Sequence, residues 1–119
     1  MVKNFEDQTQ PLTETDLQVL PWLIKGLSNR TKSNPIIAGG IVEGMNILLL
    51  KHGMKASFSD VKLRKMANHI RRNGLLPLIA TSRGYYCSNE SEEVQSQIDS
   101  LNERARSLIE CAKGLQKFL

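Results

Sequence analysis

Residues 59–88, SDVKLRKMANHIRRNGLLPLIATSRGYYCS, decide how this chain is read. Ser59 is a good N-cap, Asp60 suits a first helical turn, and Gly74 suits the position just past a helix end. At about 100° per residue from Val61, the side chains of Leu63, Met66, Ala67 and Ile70 share one face about 100° wide. The opposite face holds Val61, Lys65, Asn68 and Arg72, with Arg64, Arg71 and His69 flanking it. The pattern predicts a helix with an apolar inner side and a basic outer side. Residues 75–81 and 85–88 are β-prone runs around Ser82-Arg83-Gly84. They predict a hairpin with Arg83 at its tip, and Pro77 makes the first strand an edge.

Upstream, residues 1–11 are polar and end at Pro11, the pattern of a flexible tail. Thr13 or Thr15 can cap a helix in which Leu17, Leu20, Ile24 and Leu27 recur at helical spacing. Pro21 predicts that this helix starts or kinks between residues 17 and 21. After a polar break, Pro35 suits the first position of a second helix carrying Ile36, Ile37, Ile41, Met45, Leu48 and Leu49. Gly39, Gly40 and Gly44 each weaken it by about 1 kcal/mol relative to Ala. Close packing on a neighbouring helix is the expected reason for them. Lys51-His52-Gly53 reads as its end, and Trp22 is expected in the core.

Downstream, Glu90 or Ser91 opens a last segment. There Val94, Ile98, Leu101, Ala105, Leu108, Ala112 and Leu115 follow at alternating spacings of four and three. Such a heptad stripe pairs helices. It predicts a long C-terminal helix over residues 90–119 that either folds back or, as its length favours, joins a second copy in a homodimer.

The net charge is +4 over 119 residues, and its distribution is uneven. Residues 1–30 sum to −1, 31–54 to +1, 55–89 to +6 and 90–119 to −2. The excess sits on the predicted third helix and hairpin, which points to a polyanionic partner. Apolar residues make up 40% and charged residues 24%, so a folded core is expected. No window of 18 apolar residues occurs, so no membrane span is expected. MVKNFEDQTQ lacks the apolar segment of a secretory signal. Two cysteines make no framework, and reduced thiols in a cytoplasm are expected. His52 and His69 stand without metal-binding spacing, no phosphate-binding glycine loop occurs, and no nucleophile motif is present. The expectation is a non-enzyme with no catalytic residues, no metal and no small-molecule cofactor.

Three helices, a hairpin and a long helix match the layout of a winged helix-turn-helix domain over residues 12–89, with a long helix after it. The LRxxxxxIRxxG run from Leu63 to Gly74, the LPLIATSRGYY run and the trailing LNERA of residues 101–105 carry a further likeness. Residues 59–119 resemble small winged-helix proteins of bacterial phages and prophages. They are also similar to the winged-helix domain that follows the catalytic domain of DpnI-like restriction endonucleases. These 119 residues hold no such catalytic domain, so that activity is not implied.

The expected function is binding of double-stranded DNA, as a transcriptional or phage regulator in the cytoplasm of a bacterial or phage-infected cell. The third helix would enter the major groove and the hairpin would reach the backbone or minor groove. The contact set is Val61, Lys62, Arg64, Lys65, Asn68, His69, Arg71, Arg72 and Arg83. Asn68 and Arg72 are the candidates for reading bases, with Arg64 or Lys65 able to do likewise. Lys62, Arg71 and Arg83 are placed on phosphates. This reading falls if Lys65, Asn68 and Arg72 are covered by the chain itself or by a second copy. The alternative is a protein interaction module or an accessory subunit of a phage replication or restriction complex.

Overall fold

The computed structural model describes residues 11–119. Four helices and one hairpin follow in order: α1 (Glu14–Ser28), α2 (Ala38–Lys51), α3 (Asp60–Arg72), β1 (Leu78–Thr81), β2 (Gly84–Cys87) and α4 (Ser91–Gln116). The chain is mainly helical, with a two-stranded antiparallel hairpin and a long C-terminal helix. It divides into two compact units, one ending at Ser88 and one covering Asn89–Leu119. The expected tail lies outside the described residues except for Pro11.

Thr13 is the cap of α1. Its hydroxyl accepts from Asp16 N–H at 3.1 Å, and Asp16 returns the bond to the Thr13 N–H at 3.1 Å. This reciprocal pairing satisfies two backbone donors that a helix start otherwise leaves open. Helix α1 therefore begins earlier than Pro21 suggests and continues through it. Pro21 lies on the exposed side, where water can serve the carbonyl it leaves without a donor. The buried stripe of α1 is Val19, Leu20, Leu23 and Leu27, and Leu17 is turned outward. The four residues expected inside were thus partly misplaced around the helix.

Helix α2 starts at Ala38 with Ile37 as its cap residue, three residues after Pro35. Pro35 does not occupy the first helical position, because Ile36 is held in extended backbone. Ile36 exchanges two hydrogen bonds with Tyr85, N–H to carbonyl at 2.9 Å and the reverse at 2.8 Å. One residue of the α1–α2 connection is thereby stitched onto β2. Gly84 is required there: at φ +126°, a side chain on it would bring Cβ to 2.6 Å from the Ile36 carbonyl oxygen.

Ile41, Met45 and Leu49 bury one edge of α2. The glycines of α2 are not packed as expected. Nothing lies within 4 Å of a Cβ built on Gly39 or Gly44, and the atoms nearest to one on Gly40 belong to the Ile36 and Ile37 side chains of the same segment. The α2–α3 turn is clamped by Asn46, whose amide donates to the Phe58 carbonyl at 3.0 Å and accepts from the Phe58 N–H at 2.7 Å. That double bond pins the buried Phe58 ring beneath the start of α3.

Ser59 caps α3 as its sequence predicts, accepting from the Lys62 N–H at 3.2 Å. The helix stops at a left-handed Gly74, with Gly74 N–H bonded to Arg71 O and Leu75 N–H to Ile70 O. This 5→2 and 6→1 pair is the Schellman stop. Gly53 ends α2 in the same way, through Gly53 to Leu50 and Met54 to Leu49. Leu63, Met66, Ala67 and Ile70 close the core against α1, α2, Phe58 and Leu78.

The hairpin pairs Leu78 with Cys87 and Thr81 with Gly84, leaving Ser82-Arg83 as its two-residue turn. Pro77 precedes the strand, and its carbonyl accepts from Ser88 N–H. Tyr86 is buried and Tyr85 half-buried. Trp22 is half-buried rather than enclosed, and it stacks on His52 with ring centroids 4.4 Å apart. Helix α4 has no buried residue. Leu108, Ile109, Leu115 and Phe118 are all more than half exposed.

Candidate nucleic-acid interface

Helix α3 and the hairpin tip place the nine expected contact residues in three different settings. Arg64 and Arg72 on α3 and Arg83 at the tip are exposed. Val61, Asn68 and His69 are half-buried. Lys62, Lys65 and Arg71 are engaged by other parts of the chain.

Lys65 is the main correction. Its ammonium donates to Asp16 Oδ2 at 2.9 Å, and only 13% of its side chain is exposed. Lys62 stands 3.3 Å from Asp16 Oδ1 with 27% of its side chain exposed. Lys65 therefore does not lie on an open face. A helical wheel assigns an angle to a Cβ, but a four-carbon stem can lean aside and carry its charge to an anion on the next helix. That anion is Asp16, 1% exposed. Burial pushes the Asp16 carboxyl up, but the Lys65 bond, the Thr13 N–H and the Lys62 charge outweigh it and hold it at about 2.

Arg71 is turned the other way. Its Nε donates to the Leu78 carbonyl at 3.2 Å, fastening α3 to β1. The phosphate role expected for it competes with this bond. His69 is tied into the end of α3, where the Asn73 amide donates to its carbonyl at 2.9 Å.

Asp16 stands outside the contact set expected from the sequence. It is a first-turn acid of α1 and also lies on the stripe 16, 20, 23, 27 that forms the buried edge of that helix. A carboxylate at helical spacing with buried leucines signals an internal cation. Its effect on the interface is electrostatic. Asp16 draws two of the seven positive charges of residues 55–89 to itself, and among the expected contact residues the exposed basic ones contract to Arg64, Arg72 and Arg83, with the half-buried Asn68 as a further member of the set.

A concavity of about 160 Å³ lies between α1 and α2, lined by Trp22, Gly26, Gly40, Gly44, Met45 and Arg30 among others. Among the described residues no group of three or more His, Cys, Asp or Glu side chains could hold a metal ion. No described helix is long and apolar enough to cross a membrane. Burial raises the Cys87 thiol above its usual range, and its Sγ donates to the Leu27 carbonyl at 3.4 Å. Both features suit a packed side chain and not a nucleophile. No protein-family model, no curated protein and no solved structure matches the chain.

Proposed function

We propose that this chain is a non-enzymatic, winged helix-turn-helix protein that binds double-stranded DNA as a transcriptional or phage regulator. The observation that carries the reading is the pairing of an exposed Arg72 and Arg64 on α3 with an exposed Arg83 at the hairpin turn. The stitch between Ile36 and Tyr85 further braces the hairpin against the helical core. An α-helix fits a major groove, where Arg suits guanine and Asn suits adenine. In this reading Arg72 and the half-buried Asn68 address bases. Arg64 and Arg83 hold phosphates, and Lys62 and Lys65 hold the helix in place from behind through Asp16. The exposed heptad stripe of α4 supports self-association, which would supply two such helices to a two-fold site.

The test is titration of duplex DNA at two salt concentrations, with Arg72→Ala and Lys65→Met compared. Counterion release makes affinity fall steeply with salt. Arg72→Ala is expected to weaken binding about tenfold or more and to lower the salt slope by about one charge. Lys65→Met is expected to change stability more than the salt slope. Binding that is absent, or indifferent to salt and to Arg72, overturns the reading in favour of a protein interaction module.

A further inference from the structure

Helix α4 carries its apolar stripe and its charges in two different arrangements, and together they fix how a second copy would lie. Along the helix, Glu90, Glu92, Glu93, Asp99 and Glu103 precede any basic residue. Arg104, Arg106, Lys113 and Lys117 follow, with Glu110 the one acid among them. The rod is acidic in its first half and basic in its second. Two copies side by side in the same direction would set like charge on like along their whole length. Two copies in opposite directions set each acidic half on a basic half, and their helix dipoles oppose as well.

The stripe itself gives the same answer from packing. Its positions alternate between a Val or Leu series (Val94, Leu101, Leu108, Leu115) and a series that includes the small Ala105 and Ala112. In a parallel pair each residue meets its own copy. Ala105 would face Ala105 and Leu108 would face Leu108, so thin layers with voids would alternate with crowded ones. In an antiparallel pair the two series interleave. One register sets Ile98 opposite Leu115, Leu101 opposite Ala112 and Ala105 opposite Leu108 along the full stripe. Every alanine then faces a leucine, so no layer is left with two alanines. Leu108 is 65% exposed and Leu115 67% exposed, so the surface is there to be covered.

We propose that α4 docks against α4 of a second copy of this chain as an antiparallel pair in that register. The inference deepens the self-association part of the proposed function and does not depend on DNA binding. With about 1.5 Å of rise per residue and the pair centred between residues 106 and 107, the starts of the two α4 helices, where the winged units attach, lie about 47 Å apart along the axis.

The test is dipolar spin-label distance measurement on Ser96→Cys and Ser107→Cys, each in a chain with Cys87→Ser and Cys111→Ser, alongside sedimentation equilibrium of the unaltered chain. In the proposed register Ser96 stands level with Lys117 of the other copy and Ser107 with Arg106. The label pair at 96 is then about 30–35 Å apart and the pair at 107 about 20 Å or less. Lys117→Cys repeats the long distance from the other end should the Ser96 variant not fold. Short distances at both 96 and 107 overturn the antiparallel arrangement, and a monomeric unaltered chain overturns the second copy altogether. Duplex binding by a chain that stays monomeric defeats this inference and leaves the DNA reading standing. A correctly spaced dimer that binds no duplex does the reverse.

Discussion

The ammonium of Lys65 lies 2.9 Å from the carboxylate of Asp16, joining α3 to the start of α1 across 49 residues of sequence. The same oxygen, Oδ2, accepts the Thr13 N–H that closes the cap of α1. A single buried carboxylate thus caps the start of one helix, anchors another and draws two lysines away from the open surface.

Replacing Asp16 by Asn removes the anion and leaves Lys62 and Lys65 facing each other beside a neutral amide. Breaking a buried pair from one side costs about 3–5 kcal/mol. We expect the lower part of that range for Asp16→Asn in urea denaturation, because Lys62 can swing toward water. A loss below about 1 kcal/mol would place this pair with ordinary surface bridges.

Acid should act through the same group. The Asp16 carboxyl is held at about 2 in the fold, below the value of about 3.9 for an unfolded chain. A depressed folded value means that the unfolded state takes up the proton first. The stabilisation is therefore complete above about pH 4 and is lost as the pH falls toward 2. The expected loss is on the order of 2 kcal/mol between those limits, read from denaturation midpoints at stepped pH. In Asp16→Asn this component of the acid slope should be absent.

Gly84→Ala tests the stitch between the α1–α2 connection and the hairpin. An added Cβ would sit 2.6 Å from the Ile36 carbonyl oxygen, on a backbone at φ +126°. The clash is with backbone on both sides, so the Ile36–Tyr85 bonds must part. A destabilisation of about 2 kcal/mol or more is expected, together with faster amide exchange at Ile36 and Tyr85.

Gly44→Ala should have the opposite sign. Gly44 lies inside α2 with nothing within 4 Å of the Cβ it lacks. Alanine removes backbone freedom from the unfolded chain at no steric cost, for a gain of about 0.5–1 kcal/mol. A loss in thermal or chemical denaturation would show that something approaches this backbone closely.

Local signals located α3 almost to the residue, because Ser59, Asp60 and Gly74 act within one helical turn and need no distant partner. They located the hairpin for the same reason, since a two-residue turn between β-prone runs is a local property. They failed around α1 and the start of α2. Leu17 reads as core by spacing, yet the face of a helix that turns inward is set by its neighbours, and here Asp16 and Val19 take the inside. Pro35 reads as a helix start, yet Ile36 is held extended by Tyr85, a residue 49 positions away.

By itself, the order of residues determined the element types, the two glycine-stopped helix ends, the apolar face of α3 and the heptad stripe of α4. All of these depend on backbone preference and on periodicity along one element. Only the tertiary structure decided which charges remain in solvent. Lys65 and Arg72 are both placed outward by a helical wheel. One is drawn inward by a carboxylate that the chain brings from Asp16, and the other meets no such partner among the described residues. The energy of a charge depends on what lies within a few ångströms of its tip, and that neighbourhood is made by folding.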